Sequence, residues 1–219
     1  MGLTNVLLLS QAAGYSVTII LSLCVMIPMI LHESSFHGHC LLFTSGSFVS
    51  SDGSFDPSWG SGFYCGFTLF VAIVSLIIAL TQLVRTCIFL CRNTDCSFLS
   101  AVFEAFLSLL MILLVITSAI FVTRGFSTWC AAMTERFPSC EVSEAMQVKG
   151  MPDLDASGFF LEMGTVQFAI WTSLVFWVMI FVLSSRKVFV FHERENIIIS
   201  MARERMRYAG PSYDSYTDE

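Results

Sequence analysis

Four runs of apolar residues dominate the pattern of the sequence, at about 11–31, 63–84, 98–122 and 163–183. A helix needs roughly 20 predominantly apolar residues to cross the hydrocarbon core of a bilayer. Because backbone N–H and C=O groups cannot stay unpaired in hydrocarbon, each run is predicted to be an α-helix. A β-barrel would instead show short strands of alternating polarity. The pattern predicts an all-α membrane protein built as a four-helix transmembrane bundle.

Composition supports this prediction, since 55% of the residues are hydrophobic and only 13% are charged. Such long uncharged runs would leave a soluble helical protein with too little polar surface. The first run could alternatively be a cleaved signal peptide. No Lys or Arg precedes it, however, and no small-x-small cleavage site stands out after it. We therefore expect a retained first helix, kinked by Pro28.

Basic residues are distributed unevenly between the two sides of the predicted helices. The long loops at about 32–62 and 123–162 contain three Lys or Arg and nine Asp or Glu, whereas the short loop and the C-terminal region contain eight Lys or Arg. Positively charged segments stay cytoplasmic, so the long loops are predicted outside and both termini inside. The expected location is the plasma membrane or another secretory-pathway membrane. Residues 1–191 form the predicted transmembrane domain and 192–219 a cytoplasmic tail.

Seven of the eight cysteines follow the same division, and the eighth, Cys24, lies within the first apolar run. Cys40, Cys65, Cys130 and Cys140 fall in or beside the outer loops. An even number of cysteines in an oxidising compartment predicts two disulfides. The simplest pairing closes each loop on itself, Cys40 with Cys65 and Cys130 with Cys140, although four cysteines allow three connectivities.

Three further cysteines, Cys87, Cys91 and Cys96, lie beside the short inner loop. Their spacing is neither that of a zinc ribbon nor that of a redox C-x-x-C motif. Juxtamembrane cysteines of this kind are candidates for reversible palmitoylation. The alternative is that they serve only as small apolar residues at a helix end.

Histidines gather near Cys40 in the first outer loop, at His32, His37 and His39. This group lacks the second ligand pair of a zinc site, and a disulfide-bonded Cys40 could not supply a thiolate. We therefore expect no metal and no other cofactor. Protonation of these histidines at acidic pH is a weaker alternative role.

The third apolar run contains an ionisable residue, Glu104. Charged residues within a membrane span are costly, so Glu104 is a candidate functional residue. Glu104 lies about one turn from the predicted inner end of its helix. There it is predicted to snorkel or to pair with Arg85 or Arg92. A proton or ion relay is the alternative.

Other polar residues lie near the outer ends of the runs. Arg124 and Glu162 are predicted to form an interfacial ion pair, and Gln167 to hydrogen-bond between helices. No run carries a repeated polar stripe, which disfavours a channel built by one chain. We also find no arranged nucleophile and base, paired carboxylates or glycine-rich phosphate loop, so no enzymatic activity is expected.

The segment 186–208 mixes apolar residues with many arginines and glutamates. It is predicted to be an amphipathic cytoplasmic helix on the membrane surface, with its arginines near anionic headgroups. The alternative is a continuation of helix four. Residues 212–219 are expected to be disordered, with Tyr213 and Tyr216 as candidate phosphorylation sites.

The stretch F-H-G-H-C-L-L-F-T-S-G at 36–46 is similar to the F-x-G-x-C-L-L-F-T-x-G stretch of the transmembrane protein 179 family. Supporting matches are IFLC at 88–91, SFLSA at 97–101, GF at 125–126, WC at 129–130, TE at 134–135, and QF at 167–168 with Trp171. The resemblance covers the chain to about residue 190. It implies the four-span topology and brings no catalytic residues.

Claudin-like proteins and tetraspanins share four spans and disulfide-bearing outer loops. Trp59 and Cys65 lack the claudin W-GLW-C-C arrangement, and Cys65 is not preceded by the second Cys of a tetraspanin CCG motif. On these motifs we expect the chain to belong to neither group.

The functional hypothesis is an accessory or regulatory subunit, in contact with membrane lipids, that binds a larger membrane protein such as an ion channel or receptor. No nucleic-acid binding is expected, and a homo-oligomer remains open. The rival hypothesis is a self-assembling pore or transporter in which Glu104, Gln167 and Arg124 line a path between subunits.

Overall fold

The computed structural model describes residues 3–49, 54–92, 98–142 and 158–208. Its elements are α1 (Leu3–Ser35), β1 (Cys40–Phe48), β2 (Phe55–Gly60), α2 (Gly62–Arg92), α3 (Phe98–Met133) and α4 (Phe159–Tyr208). All four helices are long and apolar enough to cross a membrane. The chain is therefore a multi-pass membrane protein, and the four predicted helices are confirmed.

The fourth helix is much longer than its apolar run, since α4 continues without interruption to Tyr208. The prediction of a separate amphipathic helix at 186–208 is therefore wrong, and the alternative of a continued helix four is right. No Gly or Pro occurs between Thr165 and Tyr208, so nothing in the local sequence ends the helix. From His192 to Arg207 every side chain of α4 is exposed. The predicted domain boundary at residue 191 falls inside this helix.

The first long loop contains a β-hairpin, so the all-α prediction is wrong there. Strands β1 and β2 pair antiparallel, with Phe48 opposite Phe55 and an irregularity near Cys40. Leu41 and Leu42 are consecutive and both fully buried, so β1 lacks the alternation that identifies a strand in sequence. The hairpin also depends on Gly60, where a Cβ atom would lie 2.0 Å from the Leu42 carbonyl oxygen.

The helices run up and down in chain order. Extensive interfaces join α3 to α4, α4 to α1 and α1 to α2, whereas α2 and α3 share a smaller one. Small side chains at Ala72, Ala79, Ala119 and Ala169 are buried between the helices. Small residues let helix backbones approach closely, which is how helices associate in a membrane without a hydrophobic driving force.

The hairpin and two disulfides form a cap over one end of the bundle. Cys40 of β1 is bonded to Cys65 of α2, and Cys130 near the end of α3 is bonded to Cys140. The predicted pairing is therefore confirmed. The cap has its own buried cluster, whose largest members are Phe36, Leu41, Phe55, Trp129, Met133 and Phe159. The start of α1 and the last half of α4 lie at the opposite end, which we call the terminal end.

Strand β1 packs directly on the backbone of α3 at Gly125. A Cβ atom at Gly125 would lie 2.8 Å from the Leu42 Cβ and 3.1 Å from its Cα. These distances are too short for a side chain, and Leu42 is fully buried and has no space to move into. Gly125 therefore sets how closely the cap approaches the bundle.

We expect Gly125→Ala to lower the free energy of unfolding in detergent by about 1–3 kcal/mol, because the added methyl overpacks a filled interface. The matched control is Gly66→Ala on α2, where a Cβ would meet nothing within 4 Å. Denaturation of the two purified variants measures the difference. Equal stability of both variants with the wild type would show that β1 does not rest on α3 as described.

Candidate functional site

A buried polar cluster joins α1, α3 and α4 near the terminal end. Lys187 Nζ lies 3.2 Å from Glu104 Oε2, and the Tyr15 hydroxyl donates to Glu104 Oε1 at 2.8 Å. Lys187 also donates to Gln11 Oε1 at 3.4 Å, and Gln11 Nε2 donates to the Ser184 hydroxyl at 3.0 Å. Glu104 and Lys187 are each only 4% exposed. We call these five residues the polar cluster.

Helical spacing brings the cluster together. Gln11 and Tyr15 are four residues apart on α1, and Ser184 and Lys187 are three apart on α4, so each pair shares one helix face. Glu104 of α3 completes the group. An unpaired charge away from water is costly, and an ion pair is tolerated there only when further hydrogen bonds satisfy it. The cluster therefore ties three helices together and leaves neither charge unpaired.

The sequence-based prediction for Glu104 is wrong about its partner. Arg85 instead donates to Gln82 Oε1 at 2.8 Å and to the Ser100 hydroxyl, while Arg92 is exposed at the end of α2. Glu104 does not snorkel either, because it is buried. Lys187 was missed because it lies beyond the predicted end of the fourth run. The sequence did offer a sign of its location. Lys187 is followed by apolar residues, and no Gly or Pro ends the helix before it.

The centre of the bundle holds a second, uncharged polar group. Trp177 Nε1 donates to the Ser75 hydroxyl at 3.2 Å, and the hydroxyls of Ser22 and Ser75 are 3.0 Å apart. A void of about 10 Å³ adjoins these serines, about the space of one water molecule. The centre of the bundle is therefore packed.

A shallow, open depression lies on one face of α4 in the half nearer the cap, and the residues that line it all belong to this helix. Phe168 is 71% exposed and Val175 is 65% exposed. Positions 164, 168, 171 and 175 are three or four apart and 167 and 172 lie beside them, so the lining residues share one face of the helix. The groove is lined by Gly164, Gln167, Phe168, Trp171, Thr172 and Val175. We call it the α4 groove.

Gln167 makes no side-chain hydrogen bond to any residue in the described ranges. The interhelical bond at this level comes from its neighbour Trp171, whose Nε1 donates to the Thr123 hydroxyl at 3.1 Å. Thr172 is satisfied within α4 by the Phe168 carbonyl at 2.8 Å. The groove thus contains one amide group with unused donors and acceptors.

The other predicted polar residues take separate places. Arg124 is exposed on α3, and Glu162 lies half-buried in the first turn of α4. Their ion pair stays a prediction. Because Glu104 is buried and paired within the chain, it does not face outward with Gln167 and Arg124. The path between subunits in the rival hypothesis therefore lacks its acidic residue.

The three histidines at the end of α1 and before β1 do not gather around a common point. His32 is buried against Phe36, with ring centroids 4.5 Å apart, and His39 stacks on Trp59 at 4.7 Å. His37 is exposed, and Cys40 is held in a disulfide. Across the described ranges, no three His, Cys, Asp or Glu residues come together in a way that would hold a metal ion.

Of the three cysteines at or beside the end of α2, Cys87 and Cys91 are exposed and free. Cys96 lies outside the described residues, as do Tyr213 and Tyr216. Palmitoylation of the three cysteines and phosphorylation of the tyrosines stay predictions.

The chain matches the family model of the transmembrane protein 179/179B claudin domain over residues 7–209. No solved structure matches it. The match confirms the resemblance seen at 36–46 and extends it past residue 190, where the motif comparison stopped. It also overturns the exclusion of the claudin-like group. That exclusion rested on the absence of the claudin W-GLW-C-C spacing. In this chain Cys65 of α2 is instead bonded to Cys40 of β1.

We expect Glu104→Gln and Lys187→Met each to lower the free energy of unfolding by about 3–5 kcal/mol, because each single change leaves the polar cluster incomplete. The double variant should lose much less than the sum, since both charges are then removed. Denaturation of the four proteins in one detergent gives the coupling energy. Arg186→Met, at an exposed neighbour on α4, is the control. Additive losses would contradict the pairing.

Proposed function

Because the chain belongs to the transmembrane protein 179/179B claudin-domain family, we propose that it is a non-enzymatic accessory or regulatory subunit. Its partner is a larger membrane protein, such as an ion channel or receptor. The observation that carries this proposal is the unpaired amide of Gln167 in the α4 groove.

A side-chain amide has two donors and an acceptor, and hydrocarbon offers them nothing. Gln167 lies half-buried within the apolar part of α4, in the α4 groove, which is lined by residues of α4. Interhelical hydrogen bonds from Gln, Asn, Ser and Thr, together with small residues, are what hold transmembrane helices to each other. Gly164 supplies the small residue one turn before Gln167. The occupant that fits is a partner helix carrying a hydrogen-bonding side chain.

The cap offers a second contact surface of fixed shape. Two disulfides and a buried aromatic cluster hold it, and Gly125 brings it close to the bundle. We place the cap outside the cell or in the secretory lumen, with both termini in the cytoplasm. Two observations support this orientation. Lys and Arg are in excess at the terminal end, which favours the cytoplasm, and the disulfides of the cap persist in an oxidising compartment.

A self-assembling pore is the less favoured function. The bundle centre is packed around Ser22, Ser75 and Trp177, and the buried charges of Glu104 and Lys187 neutralise each other within the chain. A pore between subunits would need polar residues on the outer surface. Gln167 and Arg124 alone give little to line one.

We expect a larger membrane protein to co-purify in stoichiometric amount with the tagged chain from native membranes in mild detergent. Gln167→Leu should reduce the recovered partner about three- to tenfold, because one interhelical hydrogen bond in a membrane contributes roughly that much affinity.

Thr81→Val on α2 is the matched control. Thr81 is a polar residue on the exposed surface of α2, and its hydroxyl already donates to the Ile78 carbonyl of its own helix at 2.9 Å. Its removal should leave recovery unchanged. Recovery of no larger protein would contradict the proposal, and so would full recovery with Gln167→Leu. A homo-oligomer that conducts ions in reconstituted bilayers would replace it with the pore.

A further inference from the structure

The last turns of α2 carry two free thiols on the outer surface of the bundle. Cys87 and Cys91 are four residues apart, so they lie one above the other on one helix face. Both are exposed. The opposite face of α2, with Gln82 and Thr86, is the one buried against the bundle. The two thiols therefore point away from the rest of the described chain.

Their level along α2 matches the edge of a membrane. Val84 and Ile88 beside them are exposed apolar residues, as expected of a surface in contact with lipid chains. Arg92 ends the helix and is exposed. A basic residue at the end of an apolar helix marks the headgroup region. At 1.5 Å per residue, Cys87 lies about 7–8 Å from Arg92 along the axis and Cys91 lies beside it.

Packing does not explain these two cysteines. A free cysteine is among the residues most often buried, where it acts as a small hydrophobic side chain. Cys24 fits that description, since it is half-buried and packed against the core of the bundle. Cys87 and Cys91 contribute to neither of the buried clusters in the described part of the chain.

We propose that Cys87 and Cys91 are both S-acylated with long-chain fatty acids. The donor is a fatty acyl thioester. The cysteine sulfur attacks its carbonyl carbon, a new carbon–sulfur bond forms, and the donor's carbon–sulfur bond breaks. The donor thiol leaves with the proton that the cysteine gives up, so no oxidant or reductant is needed. The proposal rests on the cytoplasmic orientation of the terminal end, and is independent of the partner described above.

Two acyl chains at this level would enter the cytoplasmic leaflet alongside α2. The interface between α2 and α3 is smaller than those that join α3 to α4, α4 to α1 and α1 to α2. Acyl chains on adjacent turns would hold the end of α2 at the membrane surface without further protein contacts.

The test counts thioesters by acyl exchange on the full-length chain expressed in mammalian cells. It uses a Cys96→Ser background, so that Cys24, Cys87 and Cys91 carry the free thiols. Free thiols are blocked with N-ethylmaleimide without reductant, which leaves the four disulfide cysteines oxidised. Neutral hydroxylamine then cleaves thioesters, and a maleimide polymer adds a fixed mass to each thiol released.

In this background we expect two added masses. Cys87→Ser or Cys91→Ser alone should leave one added mass, and the two changes together should leave no added mass. Cys24→Ser is the matched control and should keep two. Omitting hydroxylamine should give none. A background with fewer than two added masses would overturn dual acylation, and so would a mass that survives the double change. An impermeant maleimide that reaches the released thiols in unpermeabilised cells would show instead that the orientation is inverted.

Discussion

A polar group within the membrane is costly unless it finds a hydrogen-bond partner, and the arrangement of the helices follows from that constraint. Most hydroxyl groups meet it locally: Thr18 bonds the Gly14 carbonyl, and Ser108 bonds the Glu104 carbonyl. The costly case is the charge of Glu104, which no local bond can satisfy. Lys187 and the Tyr15 hydroxyl satisfy it from two other helices. The polar cluster is therefore both the most demanding part of the bundle and the part that joins three helices.

The bundle is fastened differently at its two ends. At the terminal end the polar cluster connects α1, α3 and α4, and Arg85 connects α2 to the start of α3 through Ser100. At the other end the cap takes over, with the Cys40–Cys65 disulfide joining β1 to α2 and the contact at Gly125 joining β1 to α3. Between these ends the helices are joined by small residues, close packing and the hydrogen bonds of Ser22, Ser75 and Trp177. The amide of Gln167 is unpaired in the α4 groove, and the proposed partner helix would satisfy it.

The sequence was enough to predict what the bilayer itself imposes. Long apolar runs identify helices because hydrocarbon permits few alternatives, and cysteine placement identified the two disulfides. It was not enough for features set by tertiary contact. The β-hairpin was missed because Leu41 and Leu42 are both buried although they are consecutive in β1. Leu41 packs in the cluster of the cap and Leu42 in the core of the bundle. Lys187 was missed because hydropathy ends the fourth span before it, although the helix continues. The claudin-like relationship was missed because the W-GLW-C-C spacing was required for membership, whereas the family model matches this chain without it.

The central claim is that the α4 groove receives a helix of a larger membrane protein. Photocrosslinking in native membranes tests it most directly, with a photoreactive phenylalanine analogue placed at Phe168 in the groove or at Phe70, an exposed residue of α2. The account predicts a covalent adduct with a larger membrane protein from position 168 and none from position 70. An adduct with lipid alone at position 168, or the same protein adduct from both positions, would contradict it.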